Sequence, residues 1–240
     1  MKRLCSLGCL LAMYAAPRGL QGQRIYERGP ELVLRDAQGR LTKLGRGFYA
    51  VPVSDHEVLI IRGAQMGYGE KSSCEGPSKN RVVLYDTQTK KDVLLFDKPI
   101  PPRIIPHDGA CVYERGDLSP DSSTLYIVSP CYATSGCLAL IDLHTGKIRN
   151  VPGVMDVFVI RGGPHEGELI YSRRLWTKPK GYETGFYYYP YIHAHPDGSQ
   201  IGIISDENLV QVGGVGSAPI LRAYLRRIRG RIFVEGRWIP

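Results

Sequence analysis

An apolar run closed by an aspartate, then a polar tetrad, then a second apolar run recurs three times along the chain: ELVLRDAQGRLTKL from Glu31, RVVLYDTQTKKDVLLF from Arg81 and CLALIDLHTGKIRNV from Cys137. The aspartates are Asp36, Asp86 and Asp142, which puts the repeats 50 and 56 residues apart. Gly39, Lys90 or Gly146 stands near the close of each tetrad. A carboxylate that accepts from nearby backbone amides, followed by a residue tolerant of positive φ, builds a tight turn, so each segment predicts a β-hairpin. A second turn type alternates with the first, in VSDHEVLII around Asp55, LSPDSSTLYIVS around Asp121 and AHPDGSQIGIIS around Asp197. Here the turn precedes an apolar strand of β-branched character, with proline setting φ where it occurs. A further hairpin, VMDVFVIRGGPHEGELIYSRRL, turns at 162–167. No stretch from Tyr26 to Ser205 keeps a 3.6-residue period over three turns, and the body therefore reads as all-β.

Interleaved hairpins with a period near 54 residues predict a β-propeller-like array of antiparallel repeats with four-stranded blades. The length accommodates about four blades, irregular or incomplete. The SPDSSTLYIVS and HPDGSQIGIIS segments resemble the SPDG turns of TolB-type, WD40-like secreted propellers, and IDLHTGKI resembles their D-x-x-T-G-K outer hairpin. This resemblance implies an architecture and no activity, because that superfamily holds scaffolds, peptidase domains, lyases and sugar binders alike. Such propellers usually have six or more blades, which this chain is too short to supply. The N-terminal segment offers only an outer hairpin, Glu31 to Leu44, and strands within 220–238 are expected to complete that blade and remove its open edge.

Composition changes the picture mainly through compartment. With 43% hydrophobic and 9% aromatic residues the chain is neither disordered nor collagen-like. Lys2 and Arg3 precede an apolar run from Leu4 to Ala16 that ends at Pro17, the order of a secretory signal peptide and too short to span a bilayer. Cleavage after Gly22 leaves a single domain over 23–240, lowers the net charge from +8 to +5 and leaves four of six cysteines. In a periplasmic or extracellular setting these predict two disulfides, Cys131 with Cys137 and Cys74 with Cys111, on grounds of proximity in sequence alone. Spacings of 37, 20 and 6 contain no C-x-x-C pair, which argues against a cysteine metal site.

Candidate chemistry gathers late in the chain. His193 and His195 flank Ala194 on a predicted strand, so alternation puts both imidazoles on one face, the beginning of a divalent-metal site. A third ligand would come from His107, His165, Asp108 or Glu166, and the competing role for His195 is to bond the turn where Ser119 stands in the sister repeat. Trp176, Tyr182 and the tract Phe186-Tyr187-Tyr188-Tyr189-Pro190-Tyr191 place rings on both faces of a strand, more than a core absorbs. Trp176, Tyr182, Tyr187, Tyr189 and Tyr191, with Arg173 and Arg174 beside them, are the expected ligand-binding residues. Arg222, Arg226 and Arg227, on a short helix over 221–228, together with Arg229, Arg231 and Arg237 after it, suit a basic cluster for an anionic polymer. Asp108, Glu114, Asp117, Glu166 and Glu168 are the acids open to acid–base work. There is no G-x-S-x-G, H-E-x-x-H or Walker A sequence, and no nucleic-acid motif. The expectation is an exported, non-catalytic binding module for a protein or an anionic envelope glycan, requiring no cofactor. Two alternatives stay open: a metal-dependent, lyase-like polysaccharide enzyme built on His193 and His195, and an inhibitor or immunity-type protein.

Overall fold

The computed structural model describes residues 23–28, 31–63, 80–100, 112–132, 135–177, 186–205, 232–234 and 237–239. Every regular element among them is a strand, and every strand pair is antiparallel. No helix among the described residues is long and apolar enough to cross a membrane. Strands β1 (Arg24–Arg28), β2 (Glu31–Arg35) and β3 (Leu41–Arg46) form a three-stranded meander. A four-stranded meander follows: β4 (Tyr49–Pro52), β5 (Glu57–Gly63), β6 (Asn80–Asp86) and β7 (Lys91–Phe96). A seven-stranded sheet then contains β8 (Arg115–Leu118), β9 (Thr124–Tyr132), β10 (Ser135–Asp142), β11 (Ile148–Val159), β12 (Leu169–Arg173), β15 (Tyr191–Ala194) and β16 (Gln200–Ser205). Between β12 and β15 runs the hairpin of β13 (Leu175–Thr177) and β14 (Phe186–Tyr188).

The seven-stranded sheet resolves into two blades that share one strand. The first half of β11 pairs with β10 from Ile148 to Val154, and the second half pairs with β12 from Val154 to Val159. Gly153, at φ 77°, marks the crossing: the ladder with β10 skips it, and the ladder with β12 skips Met155. Blades thus run β4–β7, β8 to the start of β11, and the end of β11 through β12 and β15 to β16, with β1–β3 as an incomplete first blade.

Packing confirms this division. Along β5, Val58 and Ile60 face the first blade in a cluster with Leu32, Leu34, Leu44, Val83 and Tyr85, whereas Leu59 and Ile61 face the next blade with Leu118, Leu125, Ile127, Ala139 and Ile141. Along β9, Leu125 and Ile127 join that second cluster, while Tyr126 and Val128 turn to a third with Val154, Val157, Leu169, Tyr171 and Ile192. Strands buried on both faces read as unbroken apolar runs, which is why EVLII and LYIV show no polar alternation. Sheets stacked face to face in chain order, four strands to a unit, make this an all-β, propeller-type array.

The turns have the predicted chemistry. Asp36 Oδ1 accepts from the amides of Gln38 (3.0 Å) and Arg40 (2.8 Å), Asp86 Oδ1 from Gln88 (2.7 Å) and Thr89 (2.9 Å), and Asp142 Oδ1 from His144 (2.9 Å) and Thr145 (2.8 Å). Gly39, Lys90 and Gly146 hold φ of 82°, 57° and 70°. In the second type, Asp121 accepts from the Ser119 hydroxyl (2.5 Å) and the Ser123 amide (3.1 Å), and Asp197 from the Ser199 amide (2.8 Å) and hydroxyl (2.6 Å).

The chain ends differently from expectation. Strands β17 (Ile232–Val234) and β18 (Arg237–Ile239) pair with each other and lie beside β16, and among the described residues β1–β3 gain no fourth strand. The helix expected over 221–228, like the leader at 1–22, falls outside the described residues.

Candidate functional site

The fourth blade carries two groups of side chains, one at each end. At one end its middle hairpin outruns the blade. Ser172 faces Tyr191, and three residues further along each strand Leu175 faces Tyr188, so β12–β13 and β14–β15 are one hairpin in unbroken register. Arg173 N donates to Pro190 O at 3.1 Å across the seam. Trp176 and Tyr187 are directly opposed on the projecting part, which puts their rings on one face. They are 57% and 45% exposed, against near-complete burial of Tyr126 and Tyr171 in the same sheet. The Arg174 guanidinium lies 3.7 Å from the centroid of the Tyr187 ring, a cation–π contact that extends the platform with positive charge. Arg173, Tyr189 and Tyr191 are half-buried at its base, and Tyr182 lies outside the described residues.

At the other end, the loop between β11 and β12 meets β15. Ile160 N donates to Glu168 O (2.8 Å), Gly167 N to Ile160 O (2.9 Å) and Glu168 N to His165 O (3.0 Å), with Gly162, Gly163 and Gly167 at positive φ. This folds His165 back over Glu168, immediately before β12. His193 stands opposite Ile170 on β15 and reaches the same carboxylate. Glu168 Oε2 accepts from His165 Nδ1 at 2.8 Å and from His193 Nε2, and the two imidazoles meet edge to face at 5.3 Å. The three donor atoms lie within 4.8 Å of one another.

His195 does not join this group. Strand β15 ends at Ala194, so His195 falls in the turn beyond it and the alternation that would have aligned the two histidines does not extend to it. His195 instead closes the turn with its main chain, its N donating to Ser199 O at 2.9 Å and its O accepting from Gly198 N at 2.8 Å, and its side chain is exposed. Tyr126 and Tyr171 hydroxyls reach the same turn, at Pro196 O (3.1 Å) and Gly198 O (3.3 Å). Of the third ligands expected for His193, His165 is the one beside it, and the carboxylate is Glu168 in place of Glu166. His107 and Asp108 lie outside the described residues. The register of β12 against β15 decides this grouping, and no local spacing in the sequence carries that register.

A third polar group sits where the inner strands of neighbouring blades meet. Asp117 on β8 is buried, and its Oδ1 accepts from Leu118 N (2.8 Å) and from Arg161 Nη2, while Oδ2 accepts from Val159 N (2.8 Å). Arg115 on β8 pairs with Asp156 on β11. Burial pushes the Asp117 and Asp156 carboxyls up, opposed by Arg161 and Arg115 respectively, and raises the Tyr49 phenol with both carboxylates adding to the effect. Asp117 has both oxygens committed, Oδ2 to Val159 on β11 and Oδ1 to Leu118 and to Arg161 just past β11, so its role is to tie two blades together; it is not free for acid–base work. Glu114 is likewise raised by burial. A groove of about 590 Å³ runs between the turns of the first two blades, past Gln23, Asp36, Gln38, Asp55 and His56. Cys137 on β10 is disulfide-bonded, and Cys74 and Cys111 lie outside the described residues.

No family model and no curated protein matches the chain. Among solved structures it aligns with the tricorn protease at 12% identity and a TM-score of 0.45, over 81% of this chain and 18% of that one. The β-propeller domain of the Trilobed protease from Pyrococcus furiosus, described as having an open velcro topology, aligns at 10% identity and 0.40, over 74% and 56%. TolB from Acinetobacter baumannii aligns at 13% and 0.31, over 74% and 49%. The chain therefore spans less than two thirds of each of these proteins. The propeller-type architecture stands on the four-stranded units and their stacked faces.

Proposed function

We propose that the chain is an exported, non-catalytic binding module that recognises a protein partner or an anionic cell-envelope glycan through the projecting hairpin of its fourth blade. The observation that carries this reading is the exposed Trp176–Tyr187 pair, backed by Arg174, on a hairpin that extends past the sheet. Two large rings left in water forgo burial worth about 1.5–3 kcal/mol each, and a sugar face or an apolar partner surface recovers it. Arg173 and Arg174 add affinity for negative charge. The disulfide at Cys137, for which we infer Cys131 as partner, fits an oxidising compartment and supports export. The histidine–glutamate group is eight residues away along the strand, on the order of 25 Å. A glycan stacked on Trp176 would lie far from it, which disfavours a lyase-like reading that joins the two.

The test is an isothermal titration calorimetry series with soluble envelope glycan fragments, beside affinity capture of envelope proteins, on wild type and a Trp176→Ala/Tyr187→Ala double variant. Capture or binding by wild type should fall at least tenfold in the variant while the near-ultraviolet circular dichroism of the buried tyrosines persists. Equal binding by both proteins would remove the hairpin from recognition.

A further inference from the structure

We propose that His165 Nδ1, Glu168 Oε2 and His193 Nε2 form a binding site for one divalent transition-metal ion of the zinc class, with one coordination position left open. The site stands apart from the aromatic hairpin, at the opposite end of the same blade, and does not depend on ligand recognition there.

The donor set is the first argument. Two imidazoles and one carboxylate are ligands that zinc accepts, and three protein donors leave its tetrahedral shell one short. Convergence is the second. A tetrahedral ion with bonds of 2.0–2.2 Å holds its donors roughly 3.3 Å apart. Here a single carboxylate oxygen already sits 2.8 Å from one imidazole nitrogen and in contact with the other, all three atoms being within 4.8 Å. A small outward movement of each donor makes room for the ion, and His165, 44% exposed at its side chain, has the freedom to make it.

The scaffold is the third argument. Glu168 and His193 come from adjacent strands fixed by the β12–β15 ladder, and His193 is only 12% exposed at its side chain. His165 rides on a loop whose main chain is bonded to Glu168 and Ile160, so the three donors are positioned before any ion arrives. The exposed side of His165 leaves water or a ligand group able to fill the open position. Zn²⁺ satisfies such a nitrogen–oxygen set, and Ni²⁺ and Cu²⁺ compete for it, whereas Mg²⁺ and Ca²⁺ prefer all-oxygen shells.

The experiment titrates the purified, untagged chain with Zn²⁺ against a chromogenic chelator, with Mg²⁺ as a control. One equivalent should bind to wild type and to His195→Ala, and Mg²⁺ should not displace it. Glu168→Gln and His165→Ala should each weaken binding at least about 100-fold with the circular dichroism unchanged. Zinc X-ray absorption on the loaded wild type should show two imidazoles in the first shell, a readout that does not depend on any variant folding. Absence of stoichiometric zinc on folded wild type, or a bound zinc without two imidazoles, would overturn the site. Affinity unchanged in folded His165→Ala and Glu168→Gln would do the same.

Discussion

At the scale of single residues, the three sister turns form a natural comparison. Two place glycine at the positive-φ position and the third places Lys90 there, at φ 57°. A side chain in that region crowds the following carbonyl, a cost of about 1–2 kcal/mol that glycine avoids while giving back part of it as unfolded-state entropy. Lys90→Gly should therefore stabilise the chain by about 0.5–1 kcal/mol in urea unfolding, and a destabilised variant would mean that the lysine side chain contributes more than the backbone loses. Gly116 is the opposite case. A Cβ there would stand 2.7 Å from Ile127 Cδ1 and 2.8 Å from Tyr126 O, both held in the core between the second and third blades and their neighbour. Gly116→Ala should lower stability by about 1–3 kcal/mol, measured the same way, since the obstructing carbonyl belongs to a ladder that cannot give.

At the scale of elements, what could be read in advance follows from how local the determining physics is. The Asp36, Asp86 and Asp142 hairpins were legible because each turn is closed by atoms within four residues of its aspartate. The strands of the second and third blades were legible as strands because their apolar runs are short and bounded by such turns. Pairing across blades is not local. The second and third blades close their outer hairpins with the Asp86 and Asp142 turns of the first kind, whereas the fourth closes its own with the His195–Ser199 turn of the second kind. The sequence aligned His193 with His195, and the end of β15 at Ala194 separated them. It recognised Glu168 only as one acid among five, because nothing but the β12–β15 ladder brings it to His193. The aromatic tract was singled out on composition, and the ladder explains its form: an unbroken hairpin carries Trp176 and Tyr187 beyond the neighbouring strands that would otherwise cover them.

For the whole molecule, the turn aspartates act together as an acid-sensitive set. The Ser119 hydroxyl and the Ser123 amide and hydroxyl hold the Asp121 carboxyl at about 2, below its ordinary 3.8. Ser199 holds Asp197 low, turn amides do the same for Asp86 and Asp142, and at Asp36 a desolvation that opposes the change is outweighed by Arg40. A carboxylate whose folded value is depressed contributes stability above its unfolded value and loses it as pH falls through the folded one. The urea midpoint should accordingly fall between pH 3.8 and about 2, and Asp121→Asn should show a shallower fall over that interval. Asp117 and Asp156 act in the other direction, since burial raises them, so an identical slope in the variant would shift the acid sensitivity away from the turns. The shared strand β11 bears on how the molecule can be divided. The first and second blades on the chain meet through ordinary connections, but between Ile148 and Val159 there is no linker, only a strand that is the outer edge of one blade and the inner edge of the next. A cut anywhere in it strips hydrogen bonds from both sides. These two blades are therefore a single unit for truncation, exchange or duplication, and a shortened form of this protein that keeps the aromatic hairpin must keep the strands from β8 onward.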